Sequence, residues 1–196
     1  MRLTLLALAA VPITLFLQAC PPTDDDDSVA DDGPPVIEQY LAGEQAMTLS
    51  DGTTLAPQRT LIWRRLFPTE DRITERIEQE DGEGGVDSFD VSIVVDPDDF
   101  TFTLSFTDAF GTLEGTGQFG GEPWVPGPWT SRTEYVDGDL DGTWIQSTDV
   151  LDDDGLRATK EVHRSDDSLI GTVNETLLWV DAADWHEEAE AFGEGP

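Results

Sequence analysis

Phe100, Phe102, Leu104 and Phe106 alternate with Thr101, Thr103, Ser105 and Thr107. An extended segment with this pattern turns its apolar side chains to one side and its hydroxyls to the other. Phe89, Val91, Ile93 and Val95 repeat the alternation, and Asp96-Pro97-Asp98-Asp99 between the two runs is turn chemistry of hairpin length. Similar runs occupy 45–50, 58–67, 71–79, 112–119, 129–136, 143–151, 156–164 and 169–180. Short separators divide them: Ser50-Asp51-Gly52, Gly82-Glu83-Gly84-Gly85, Gly120-Gly121, Asp137-Gly138, Asp154-Gly155 and Asp166-Asp167. Strands joined by tight turns with no helices between them form an antiparallel up-and-down meander. About ten such strands leave two exposed edges unless the sheet closes, so the pattern predicts an all-β barrel or curved half-barrel.

Two short helices are predicted to flank the sheet. Pro35 suits a first helical position, Val36, Ile37, Tyr40 and Leu41 share one helical face, and Gly43 can end the turn. At the far end Asp181 is an N-cap candidate, and Trp185, Ala189 and Phe192 recur at helical spacing, which predicts a helix over about 182–192. Residues 36–196 therefore read as one domain.

The chain before that domain is of another kind. Arg2 precedes an apolar run from Leu3 to Leu17, in the charged-then-apolar order of a secretory signal over residues 1–19. The run is shorter than the roughly 20 residues of a membrane-spanning helix and contains Pro12. Leu17-Gln18-Ala19-Cys20 closes it, and Cys20 is the single cysteine of the chain. These four residues resemble the lipobox of bacterial lipoproteins, although Gln18 stands where a small residue is usual. The resemblance implies that Cys20 is lipidated and becomes the mature N-terminus, and that the protein is anchored in the bacterial cell envelope. Residues 21–35, PPTDDDDSVADDGPP, follow as a tether with too little apolar surface to fold on its own.

Charge narrows the partners. Asp and Glu number 42 against 10 Lys and Arg, a net charge of −32. Such a surface repels phosphate backbones, so nucleic acid is excluded as a partner. The two histidines lack a His-Glu-x-x-His pairing, and there is no Gly-x-Ser-x-Gly elbow. The chain thus reads as a binder rather than an enzyme.

Two groups of residues carry candidate chemistry. Asp137-Gly138-Asp139-Leu140-Asp141-Gly142 follows the first six positions of a calcium loop, with Asp137, Asp139 and Asp141 as oxygen ligands, but the twelfth position is Thr148 instead of Glu. The same residues also read as a plain hairpin turn. The second group is a cavity lining. Trp129, Ser131, Thr133 and Tyr135 share one strand face, and Trp144, Gln146, Thr148 and Val150 share a face of the next, a mixture that suits a ligand cavity better than a solid core. Trp63 and Arg65 lie on one face of their strand and Arg64 on the other, so one of these arginines can point inside and, with Arg132 and Arg76, meet a carboxylate or phosphate head. The alternative is that these few arginines neutralise neighbouring carboxylates on the outer face. In strand pattern alone the domain resembles lipocalin-like and fatty-acid-binding-like barrels, an architecture that implies one small apolar or amphipathic ligand but carries over no site residues. Read from the strand faces, the residues expected at that ligand are Trp63, Arg65, Trp129, Arg132, Tyr135 and Trp144. The alternative is a non-catalytic interaction module with calcium-supported loops.

Overall fold

A computed structural model describes residues 36–81 and 85–192. Cys20 and the acidic run 21–35 lie outside the described residues. Ten strands follow one another: β1 (Ile37–Leu49), β2 (Gln58–Phe67), β3 (Arg72–Glu80), β4 (Val86–Asp96), β5 (Thr101–Asp108), β6 (Gly111–Phe119), β7 (Pro128–Tyr135), β8 (Trp144–Asp152), β9 (Gly155–His163) and β10 (Leu169–Trp179). Each pairs antiparallel with its sequence neighbours, and β1 pairs with both β2 and β10, so the sheet is a closed up-and-down barrel. Closure removes both edges. Gly43 permits it, because a side chain there would collide with the Thr176 carbonyl and the Leu177 backbone of the strand that closes the ring.

One predicted helix is a strand. Residues 37–41 open β1, whose inward side chain Leu41 lies in the barrel core while Tyr40 and Ala42 face outward under the terminal helix. A strand covered on both faces loses its polar alternation, and a run of apolar residues then mimics a helical stripe. The closing helix forms as predicted: α1 (Ala182–Ala191) is capped by the Asp181 side chain, which accepts the Asp184 N–H at 2.9 Å. It lies against the outer wall of β1 and β2, where Trp185 and Phe192 are buried with Ala42 and Leu61. The Trp185 ring is 6.0 Å from Tyr40 and 6.2 Å from Trp63.

Elsewhere the inner row is mostly apolar and the outer row mostly polar, the reverse of a barrel that faces lipid. Leu66, Ile73, Val91, Ile93, Val95, Phe102 and Phe119 form the larger core cluster, and Leu41, Ile62, Leu151, Leu156 and Leu177 the smaller. Gly117 exists for this core, since a side chain there would strike the Phe102 ring. The loop between β6 and β7, Gly120–Gly127, folds over one end of the barrel. Leu151 N–H donates to the Gly127 carbonyl at 3.1 Å, and Trp124 packs against the larger cluster. No described helix is long and apolar enough to cross a membrane.

Candidate ligand-binding cavity

The lumen is not filled. A cavity of about 200 Å³ runs through its middle, walled by Phe89, Val91, Ile93, Phe102, Leu104 and Phe106 on one side. This is smaller than the 300–1,000 Å³ of a drug-sized pocket, so it suits a small guest. A larger hollow of about 860 Å³ lies on the outer wall across β4 to β8, but it is a shallow saddle that gathers no cluster of titratable groups.

Facing the aromatic wall is a group of charged side chains. Arg64 and Glu75 are register partners on β2 and β3, with Arg64 Nε 3.3 Å from Glu75 Oε1. Lys160 Nζ donates to Glu175 Oε2 at 2.8 Å, and Ser147 Oγ donates to Asp149 Oδ2 at 2.6 Å. Two cations thus meet three carboxylates. Burial pushes the Asp149 carboxyl up to about 6, against the opposing pull of Lys160 and Ser147, with Glu175 and Glu75 adding further upward pressure. Burial alone would lower the Lys160 ammonium, but Glu175 and Asp149 outweigh it and hold it above the usual lysine range. Lys160 therefore stays charged and 31% of its side-chain surface remains open, at the cavity that it lines.

Arg64 is the member with unused capacity. Its side chain is 5% exposed and its guanidinium sits 5.0 Å above the Trp129 ring. Among the described residues it makes no hydrogen bond, and its buried Nε lacks a partner despite the nearby Glu75 oxygen. A buried donor left unmade costs about 1–3 kcal/mol, more when charged. Arg64 is thus a planar fork held in place by an aromatic face and short of acceptors.

The candidate residues divide between the two faces of the wall. Trp129, Ser131 and Thr133 line the cavity. Tyr135 is also buried inside, near one end, where its hydroxyl donates to Asp108 Oδ2 at 2.6 Å; burial and then this carboxylate push the phenol's pKa above its usual value, so it keeps its proton. Of the arginines on β2, Arg64 is the one inside. Trp63 and Arg65 lie on the outer wall, Trp63 stacked on Tyr40 beneath α1 and the Arg65 guanidinium 4.6 Å from the Trp63 ring. Trp144, Gln146, Thr148 and Val150 face outward as well, because Ile145, Ser147, Asp149 and Leu151 take the inner row of β8. On that outer wall Trp144 lies parallel to His163 at 3.9 Å and carries the Arg132 guanidinium at 4.0 Å. The aromatic and small polar mixture on Trp144, Gln146, Thr148 and Val150 belongs to the outer face, and the inner row of β8 carries a buried serine and aspartate among its apolar residues.

The Asp137–Gly142 segment is tied down as a turn. Asp137 Oδ1 accepts the Thr112 N–H at 2.7 Å and Asp139 N–H donates to the Phe110 carbonyl at 2.8 Å, while Gly138 and Gly142 adopt φ of 82° and 77°. Among the described residues no three His, Cys, Asp or Glu side chains are gathered where they could hold a metal ion. Asp137, Asp139 and Asp141 thus do not converge on a common point.

Glu75, Asp149, Lys160 and Glu175 were not singled out from the sequence. In a chain with 42 acidic residues a carboxylate carries little information by itself. The available signal was position: Glu175 sits between Val173 and Leu177 on the inward row of β10, and Asp149 between Ser147 and Leu151 on that of β8. Comparison with known proteins finds no matching family model, no matching curated protein and no matching solved structure. The site is therefore read from this chain's own residues.

Proposed function

We propose that this chain is a lipid-anchored protein of the bacterial cell envelope whose barrel holds one small amphipathic molecule, with its apolar part on the phenylalanine wall and its polar head at Arg64. The observation that carries this reading is Arg64 itself: a buried guanidinium, fixed over Trp129, with donors unused and an open cavity beside it. A ligand that supplies acceptors removes the desolvation penalty, and its tail excludes water from the lumen. The internally paired Lys160–Glu175 couple sets the polar limit of the tail region. The role is binding, not catalysis.

Native mass spectrometry of the mature protein, followed by organic extraction, tests the barrel half of the reading. A recurring small-molecule mass is expected from the parent and a several-fold lower yield from Arg64→Met; an empty parent contradicts it. The anchor half rests on the lipobox resemblance at Leu17–Cys20. Metabolic labelling with a fatty acid is expected to tag the protein, and Cys20→Ala to abolish the tag. A label that survives the substitution removes the anchor from the account.

A further inference from the structure

Beneath the β6–β7 loop lies a second, separate chamber of about 140 Å³. Trp124 and Trp129 are two of its walls, and Arg64, Phe119 and Trp129 are shared with the central cavity, so they form the partition between the two spaces. Gln39 enters only the loop-side chamber. It is the direct register partner of Arg64 on β1, and both side chains point inward at the same level of the barrel. Gln39 Oε1 is buried with no hydrogen-bond partner, and so is Arg64 Nε. Gln39 and Arg64, each with a polar atom that lacks a partner, therefore line one space that Trp124 and Trp129 also line.

We infer that this chamber is a second subsite, built for a compact neutral group that carries a C=O beside an N–H, such as a primary carboxamide or a lactam. The inference rests on the amphipathic-ligand reading above and names the head of that ligand. The carbonyl would accept from Arg64 and the N–H would donate to Gln39, which satisfies both orphans at once. A carboxylate satisfies only the first, since it has no proton to offer Gln39 Oε1. It would also place a new negative charge next to Glu75, 3.3 Å from Arg64 Nε, in a chain of net charge −32. Trp124 and Trp129 also line the chamber and add aromatic surface for the group to pack on. Pro123 and Pro126 stiffen the loop that closes the chamber, so the walls are formed before any guest arrives.

The test titrates the mature protein with benzamide and with its isostere benzoate, following the indole N–H signals of Trp124 and Trp129 by NMR. Saturable one-to-one binding of benzamide is expected, at least tenfold tighter than benzoate. Gln39→Leu should weaken benzamide at least tenfold while leaving uptake of an apolar fluorophore into the central cavity unchanged, because Gln39 does not line that cavity. Should the leucine variant melt below the parent, Gln39→Met, which keeps the chain length, reads the same loss. Benzoate binding as tightly as benzamide, or benzamide binding indifferent to Gln39, overturns the proposal. Absence of benzamide binding also overturns it, since the chamber then holds water only; if the fluorophore still binds, the central-cavity reading stands, and if it fails too, both fall.

Discussion

Enclosing charged side chains in a phenylalanine-walled lumen carries a folding cost that can be read at Asp149. Its carboxyl is raised from 3.8 to about 6, so the folded state holds the proton more tightly than the unfolded chain does. The contribution follows directly: no cost below about pH 4, a progressive loss of stability as pH rises from about 4 to 6, and the full cost, on the order of 2–3 kcal/mol, above that. Asp149→Asn is therefore expected to melt higher than the parent at pH 8, with the difference shrinking or reversing at pH 4. Thermal melts at both values check it; a pH-independent difference contradicts it. Such a residue was invisible in the sequence because burial, which gives Asp149 its meaning, depends on which row of β8 faces in. Arg64 was half legible. Alternation put it opposite Trp63 and Arg65, and only the barrel's inside could decide between the two faces.

The strands were legible because period-2 alternation survives wherever one face meets the core and the other meets water, as in β4 and β5. Where both faces are covered, as in the first residues of β1, the pattern vanished and a helix was expected in its place. The terminal helix was legible through its cap and its aromatic spacing, and its attachment is a local matter of Trp185 against Tyr40 and Trp63. Trp185→Ala is expected to cost about 3 kcal/mol, the low end for removing a buried aromatic, and to release α1 from the wall. Urea unfolding followed by far-UV circular dichroism measures both. A loss under about 1 kcal/mol would show that the helix packs without energetic consequence. Loops were harder. The Gly120–Gly127 loop has no alternation to read, and its placement over one end of the barrel follows from the register of β6 and β7, which no local pattern states.

At the scale of the whole molecule two halves with opposite logic are joined. The barrel concentrates a few charges inside an apolar lumen, while its exterior carries the bulk of a −32 surface that repels anionic partners. An acidic exterior and a neutral or weakly polar guest are compatible, since the guest need not compete with the surface field once enclosed. Such a binder depends on the lumen being a usable space and not a packing defect. Filling it is the sharpest test: Leu104→Trp projects an indole into the cavity from the phenylalanine wall. Titration of parent and variant with an apolar fluorophore, read by fluorescence alongside thermal melts, should give saturable binding near one per parent chain. The variant should bind none and melt within a few degrees of the parent, because an indole that enters empty space avoids the usual overpacking cost of about 1–3 kcal/mol. A parent that binds nothing, or a variant that unfolds as a tightly packed core would, contradicts the account.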